Sequence, residues 1–479
     1  MLIHLKRFTQ FQASIYRKLP PGSWQKLASL SRQGGSKIAL LQILVVGLTF
    51  LKEIVMTAFL GLAQFMDAYT LVNNILIFTR SYFEQLGYGA LIPAVAQCES
   101  AESSRKQAHP VNQPAQTDQH DAPFSPQRLL VVLLNYTILF TLLVGGAIGL
   151  LHQPIAQLIA PSWSGEKLQH LLLLTWLVLP SCFMFQVAEM FRVLCIQEKR
   201  FALYQLPRIT SLLLFIVSFV LLLKMMGPMG LVIALPLSQL VELLMYCVGL
   251  KIRPRWVWRT EGSASFLQKI IPVSLTWGVF SLTALVDNYF LSFLPTGEPS
   301  AFRYAYVSVL IAGSLTVVNL QMVKLADLNQ ACSEQDLEKA LAILKGASVQ
   351  ILLWSLPLIV GSVVFAPWLI KVVYERGAFT AHNTMLVSQC YQILIVMVPY
   401  TALWRLMSSC FYNLNLIRPL LLIGVVLLAL RIGMDWLGLQ LMGLHGLSWM
   451  VLMNSYLLLM ALGLFLLAVR NRLKTEGAP

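Results

Sequence analysis

The chain has 479 residues, of which 57% are apolar and only 12% are charged, and its formal net charge at pH 7 is +14. Soluble globular domains carry about 25% charged residues, so this composition excludes an ordinary soluble protein and indicates a membrane protein with many spans. A net charge of this size would suggest nucleic-acid binding in a soluble chain. Here the basic residues must first be tested against membrane topology.

Residues 1–35 form a basic segment, with six Lys or Arg side chains around a Leu-Pro-Pro-Gly-Ser break. This pattern predicts an N-terminal segment that lies on the cytoplasmic leaflet. It lacks the apolar core and small-residue cleavage site that mark a signal peptide.

Twelve apolar stretches follow, each about 20 residues or longer, the length that crosses a hydrocarbon core of about 30 Å. They lie at 36–59, 66–95, 129–152, 168–194, 203–226, 228–250, 266–294, 300–323, 347–373, 383–411, 419–438 and 444–469. The sequence therefore predicts an all-α, polytopic membrane protein.

The spans divide six and six around a basic stretch, which predicts two six-helix pseudo-repeated bundles around a central cavity. The bundles are at 36–251 and 266–469, joined by a cytoplasmic linker at 252–265 and followed by a cytoplasmic tail at 470–479. Between the second and third spans, residues 96–127 are polar and rich in Gln, Pro and Ser. This composition predicts a flexible cytoplasmic loop without chemistry of its own.

The distribution of basic residues predicts the orientation. With the N-terminus inside, the inner segments hold 25 Lys and Arg, whereas the outer loops hold two, Lys167 and Arg376. The positive-inside rule then places both termini in the cytoplasm. The same distribution removes most of the case for nucleic acid as a partner.

Sequence motifs give no support for an enzyme. The seven Cys and seven His residues show no metal-binding spacing, and no Walker A, GxSxG or GxGxxG element is present. We therefore predict no catalytic activity, no metal and no cofactor.

Ionisable side chains inside the apolar spans are the strongest functional signal. The first two spans carry Lys52, Glu53, Asp67, Arg80 and Glu84. Each such group costs about 2.5 to 3.5 kcal/mol near a bilayer centre, so the expected location is an inward-facing, functional position. In the second half, Asp287 and Arg303 flank the first outer loop as Asp67 and Arg80 do in the first half.

Other charged residues of the spans have less specific interpretations. Arg431 and Asp435 are four residues apart, which predicts a local pair on one helical face. Snorkelling near span ends is expected for Arg192, Lys224 and Lys371. Two roles remain open for Glu189, Glu242 and Arg405: lining the cavity or forming a path for a coupling ion.

Five stretches of the sequence resemble a known family. The first resembles the N-terminal signature of the MviN/MurJ lipid II flippases and reads LKEIVMTAFLGLAQFMDAYTLVNNILIFTRSYFEQLGYGALIPA. The others that agree are CIQEKRFALYQLP, DNYFLSFLPTGEPSAFRYAY, VYERGAFTAHNT and FYNLNLIRPLLLIGVV. The resemblance runs from about residue 40 to about residue 430. It implies the fold of the multidrug/oligosaccharidyl-lipid/polysaccharide exporter superfamily, and transport of an undecaprenyl-diphosphate-linked glycan, lipid II, across the bacterial inner membrane.

By resemblance, Lys52 stands where the family has a cavity Arg, and Asp67 and Arg80 match the family's Asp and Arg. Two positions depart from the pattern: Val46 replaces another frequent Arg, and Tyr306 with Val307 replaces an Asp-Arg pair. Arg303, one turn earlier, is the candidate substitute for the missing Arg. The family usually has fourteen helices, the last two forming a groove for the lipid tail, whereas twelve spans are predicted here.

The implied substrate binding site consists of Lys52, Asp67, Arg80, Glu84, Asp287 and Arg303. A diphosphate needs its charge matched inside a low-dielectric cavity, and Lys52 with Arg80 would do so by charge-assisted hydrogen bonds. Asp67 would pair with one of them in the empty protein and release it when substrate enters. The alternative is a permanent ion pair that joins the first two spans.

The implied partners are the lipid-linked glycan, with its diphosphate head group and polyprenyl tail, and membrane lipids, with a coupling ion or the membrane potential left open. Three other functions remain. One is a flippase for another polyprenyl-linked repeat unit, of O-antigen or exopolysaccharide type. A cation or drug antiporter of the same superfamily would need an acidic cavity, and a non-transporting scaffold would tolerate loss of the cavity charges.

Overall fold

The computed structural model describes residues 23–86, 126–197, 200–250, 263–333, 336–414 and 416–476. Within these ranges the chain is helical, joined by short turns, and contains no β-strand. The all-α prediction is confirmed. The helices are α1 (Ser23–Leu60), α2 (Gln64–Leu86), α3 (Pro126–Leu150), α4 (His152–Ile159), α5 (Gly165–Gln197), α6 (Phe201–Met226), α7 (Gly230–Leu250), α8 (Ser263–Leu291), α9 (Glu298–Ser333), α10 (Leu337–Tyr374), α11 (Ala381–Leu394), α12 (Val398–Asn413) and α13 (Ile417–Glu476).

Each predicted span overlaps a described helical segment, the second as far as Leu86, beyond which residues 87–95 lie outside the described part of the chain. Together α11 and α12 form the tenth span, and α13 contains the last two, separated at Gly443, where φ is 56°. By length and hydropathy, seven described stretches qualify as membrane spans, or eight if the bent pair Leu134–Leu150 and His152–Ile159 is counted as one. Two of the seven, Ala202–Leu250 and Ile417–Arg472, each contain two predicted spans.

The helices extend beyond several predicted spans. The eighth span was expected to end at residue 323 and the ninth to begin at 347, but α9 continues to Ser333 and α10 begins at Leu337. The start of α10 is capped by Asp336, whose side chain accepts a hydrogen bond from Lys339 N at 2.9 Å. Span prediction detects only the apolar part of a helix, whereas capping and backbone hydrogen bonds continue it into polar sequence.

The first helix, α1, begins at Ser23, inside the predicted N-terminal segment, and continues without a break into the first span. Residues 1–22 lie outside the described residues. So do residues 96–125 of the predicted loop at 96–127 and residues 252–262 of the predicted linker at 252–265. The contacts that position the site join helices of the N-terminal half of the chain to helices of the C-terminal half. Helix α2 packs on α8, and α9 packs on both α1 and α2.

Candidate functional site

A buried charge cluster joins the two halves of the molecule. Arg303 on α9 donates from Nη2 to Glu53 Oε1 on α1 at 3.0 Å, and the same nitrogen forms an ion pair with Glu53 Oε2 at 2.9 Å. Lys52 Nζ lies 3.3 Å from Glu53 Oε1. The side chain of Glu53 is 3% exposed, that of Arg303 6% and that of Lys52 17%. We call Lys52, Glu53 and Arg303 the central cluster.

The central cluster retains hydrogen-bonding capacity. Arg303 Nε and Nη1 are buried and have no hydrogen-bond partner among the described residues. The guanidinium lies 5.4 Å from the ring centroid of Tyr69 and 5.3 Å from that of Tyr304, so two aromatic faces flank it. Because a buried donor without an acceptor is costly, a site that keeps such donors is suited to accept an anionic ligand.

The charge balance of the central cluster is positive. Lys52 and Arg303 contribute two positive charges and Glu53 one negative charge, which leaves one net positive charge in a low-dielectric environment. The structure therefore brings together two of the predicted site residues, Lys52 and Arg303. Glu53 was noted in the sequence but not included in the predicted site, because nothing in the sequence shows that it bridges two cations.

Asp67 forms a second contact between the two halves of the chain, nearer the helix ends that the sequence predicts to face outside, which we call the outer ends. Its Oδ2 accepts from Gly297 N at 2.8 Å, and its Oδ1 accepts from Ser300 N at 3.1 Å and Ser300 Oγ at 2.6 Å. The carboxylate of α2 therefore caps the N-terminus of α9. Lys167 Nζ lies 3.7 Å from Oδ2. Among the described side chains, the charged partner of Asp67 is Lys167 and not Lys52.

Further contacts close the same end of the molecule. Ala378 N donates to Ala58 O at 2.8 Å, and Trp163 Nε1 donates to Ser292 O at 2.8 Å. Asn288 Nδ2 donates to Leu71 O at 2.8 Å, slightly deeper. Apart from those of the central cluster, the hydrogen bonds between the two halves lie in this outer part, among the described residues. We call these contacts, with those of Asp67, the outer closure.

Gly377 provides a test of the outer closure. Its φ is +63°, and a Cβ atom at this position would overlap the carbonyl of Ala58. Gly377→Ala should therefore lower the apparent melting temperature of the purified protein in detergent, because it combines a strained backbone with a steric clash between the halves.

The matched control is Gly346→Ala. Gly346 lies in α10, has no positive φ, and has no neighbouring atom within 4 Å of the position that an added Cβ would take. Equal melting temperatures for the two variants would show that the close approach at Gly377 does not hold the halves together.

Asp287 belongs to a separate cluster. Arg431 Nε and Nη2 both donate to Asp287 Oδ1, at 3.0 and 2.5 Å, and Arg431 Nε lies 3.4 Å from Asp435 Oδ2. The predicted local pair of Arg431 and Asp435 is therefore present, and Asp287 joins it from α8. The structure does not bring Asp287 together with Arg303, although both flank the same outer loop.

The snorkelling prediction is wrong for Arg192. Its side chain is only 5% exposed and forms ion pairs with Glu189 at 2.7 Å and Glu242 at 3.3 Å. Two carboxylates, one from α5 and one from α7, neutralise the guanidinium inside the N-terminal half, which removes the need to reach the interface. Lys224 is exposed, and Lys371 is 65% exposed beside Glu375, in agreement with the prediction for these two.

The backbone of Arg80 and Glu84 belongs to α2, but the side chains of both residues are outside the described part of the structure. Their assignment to the site stays a prediction. The same holds for direct substrate binding by Lys52, Asp67, Asp287 and Arg303.

Comparison with known proteins identifies the family. The family model described as "Lipid II flippase MurJ" matches residues 56–478. The chain belongs to this family. The predicted membership and the predicted transporter fold are thereby confirmed, and the protein is a multi-pass integral membrane protein of a family of transporters.

Individual relatives of this MurJ-family chain are distant. A protein of Bdellovibrio bacteriovorus described as "Probable lipid II flippase MurJ" is 24% identical over 224 residues, which cover 46% of this chain and 43% of the relative. The alignable region thus spans less than half of that relative's length.

Solved structures show the same fold. A structure described as "Lipid II flippase MurJ, inward closed conformation" superposes with a TM-score of 0.71 at 16% identity, covering 90% of this chain and 87% of the other. An inward-facing multidrug resistance MATE family transporter of the MOP superfamily gives a TM-score of 0.65 at 15% identity, covering 91% and 96%. At these identities the likeness concerns the fold alone.

Proposed function

We propose that this protein moves an undecaprenyl-diphosphate-linked glycan precursor, lipid II, from the inner to the outer leaflet of the bacterial inner membrane by alternating access. Both termini lie in the cytoplasm in this proposal. The main support is the central cluster. It holds a buried net positive charge between the two halves and two Arg303 donors without a partner among the described residues, and both features suit a diphosphate.

The outer closure supports the direction of loading. Asp67, Ala58 and Trp163 of the first half are bonded to the second half at one end of the molecule. A substrate from the cytoplasm would enter from the opposite end and meet the central cluster beneath this closure. Release on the other side then requires the outer closure to open, which is the alternation that such transporters perform.

The charge of the central cluster separates this proposal from a cation or drug antiporter, a function that the similar fold of a MATE transporter would suggest. Attraction of a cationic drug needs a net negative cavity, because a cation beside Lys52 and Arg303 would be repelled at low dielectric. A flippase for another polyprenyl-linked repeat unit shares the diphosphate and remains the second candidate.

Complementation tests the proposal. The protein should support growth of bacterial cells depleted of their own lipid II flippase. Arg80→Ala should abolish this growth while the protein still accumulates in the membrane, because a charged hydrogen-bond donor for the diphosphate is lost. Arg80→Lys should keep part of the activity, since the charge survives without the bidentate geometry.

The matched control is Lys224→Gln, which removes an exposed cation outside the proposed cavity and should complement like the unchanged protein. Failure of the unchanged protein to support growth, at normal membrane abundance, would favour another lipid-linked substrate. Full complementation by Arg80→Ala would contradict a diphosphate clamp at this residue.

A further inference from the structure

Two buried tyrosines flank Arg303 without using their hydroxyl groups. Tyr69 lies on α2 in the first half and is 1% exposed, and Tyr304 lies on α9 in the second half and is 0% exposed. Neither hydroxyl has a hydrogen-bond partner among the described residues. The ring centroids lie 5.4 and 5.3 Å from the guanidinium carbon of Arg303. Both unused hydroxyls are therefore carried by rings that contact the central cluster.

The other buried tyrosines of the described residues are satisfied. Hydrogen bonds are formed by the hydroxyls of all three, Tyr246, Tyr374 and Tyr391. Tyr374 packs against Tyr304, with ring centroids 5.9 Å apart, and its hydroxyl shares a hydrogen bond of 2.9 Å with Ser308 Oγ. A buried tyrosine hydroxyl normally has a partner, because its burial without one is unfavourable. The two exceptions in the described chain are the two tyrosines beside Arg303.

The unused donors surround one buried positive charge. With Nε and Nη1 of Arg303, the hydroxyls of Tyr69 and Tyr304 make four donor atoms that lack an acceptor among the described residues. A single group that satisfies them must bring several acceptor oxygens and a negative charge. A phosphate group has both properties, whereas a carbonyl or a hydroxyl has neither the charge nor enough oxygens.

These donors come from both halves of the molecule. Asp67, two residues before Tyr69, accepts from Ser300 N, and Arg303 follows Ser300 by about one turn of α9. The outer closure thus holds Tyr69 of α2 beside Arg303 of α9. An anion that binds both residues would bridge the two halves directly beneath the outer closure.

We propose that the hydroxyl groups of Tyr69 and Tyr304 bind the diphosphate of the substrate together with Arg303. This inference rests on the proposed function and names two residues of that site which the sequence did not indicate. Each hydroxyl donates a hydrogen bond to a phosphate oxygen, and the two ring faces hold the guanidinium between them by cation–π contacts.

Removal of each hydroxyl from the purified full chain tests the proposal. Tyr69→Phe and Tyr304→Phe should each weaken the binding of undecaprenyl diphosphate about ten-fold, because a hydrogen bond to a charged oxygen is lost. The melting temperature of the ligand-free protein should stay the same or rise, since the substitution breaks no hydrogen bond within the described chain and removes a buried polar atom. Undecaprenol, which has the same tail and no phosphate, should bind equally to the variants and to the unchanged protein.

Tyr374→Phe is the matched control, because that hydroxyl is bonded to Ser308. It should lower the melting temperature and leave the affinity for undecaprenyl diphosphate unchanged. If Tyr69→Phe and Tyr304→Phe show this same pattern, their hydroxyls serve the fold alone and the proposal is wrong. An equal loss of undecaprenol binding would also overturn it, since the rings would then contact the tail.

The same measurements separate this inference from the proposed function. If the unchanged protein and both variants bind undecaprenyl diphosphate equally well, the role of the two tyrosines is refuted and the diphosphate site stands. If the unchanged protein does not bind undecaprenyl diphosphate, the proposed function itself is refuted.

Discussion

Arg303→Ala should abolish transport and lower the amount of protein in the membrane. The substitution leaves Glu53 buried with Lys52 as its remaining charged partner, and removal of one partner from a buried pair costs about 3 to 5 kcal/mol. It also removes the donors that face the proposed diphosphate. Membrane abundance by immunoblot and growth of flippase-depleted cells measure the two effects separately.

A second substitution separates stability from binding. Adding Glu53→Gln to Arg303→Ala removes the unpaired carboxylate, so the double variant should return toward normal abundance but should still fail to support growth. Restored growth would show that Arg303 serves only to neutralise Glu53. Lys371→Ala is the matched control, because that cation is exposed beside Glu375 and its loss should change neither measurement.

Asp67→Asn should open the outer closure. The carboxylate accepts from Gly297 N, Ser300 N and Ser300 Oγ, and hydrogen bonds to a charged acceptor contribute about 1.5 to 3 kcal/mol each. An amide turns one acceptor atom into a donor that faces Gly297 N or Lys167. Loss of about 1.4 kcal/mol already changes a population ratio ten-fold, so the closed state should lose at least that much.

Accessibility of an outer residue measures this change. Ser292 is 2% exposed, and its carbonyl accepts from Trp163. Both proteins compared carry Ser292→Cys, and a membrane-impermeant maleimide is added outside the cells. The cysteine should be labelled at least ten times faster in the variant that also carries Asp67→Asn than in the one that keeps Asp67. Transport should fall at the same time, since the outer-closed state becomes rare.

Asp336→Asn is the control for Asp67→Asn, because Asp336 also caps a helix, at the other end of the molecule. Its labelling rate should equal that of the background chain. Unchanged labelling in Asp67→Asn would show that the cap on α9 does not hold the outer closure.

Helix existence was predictable because it depends on local sequence. Each apolar stretch long enough to cross a bilayer must satisfy its backbone hydrogen bonds internally, so it forms a helix wherever it packs. The residues that resemble the MurJ family were equally visible, and the family match over residues 56–478 confirms them. Charges inside the apolar spans also predicted helix contacts. Asp67 and Arg303 form ion pairs with other helices, and Lys52 Nζ on α1 lies 5.4 Å from the ring centroid of Phe215 on α6.

The partners of those charges were decided by tertiary structure. Glu53 bonds to Arg303, 250 residues away, and Asp67 caps a helix that begins 231 residues later. Arg192 sits among carboxylates of two helices and not at an interface. A buried charge selects whichever counter-charge the packing brings within about 4 Å, and local sequence does not specify that neighbour. The sequence by itself therefore determined which residues carry charge into the apolar spans, and only the packing of the two halves decided which of them form ion pairs with each other.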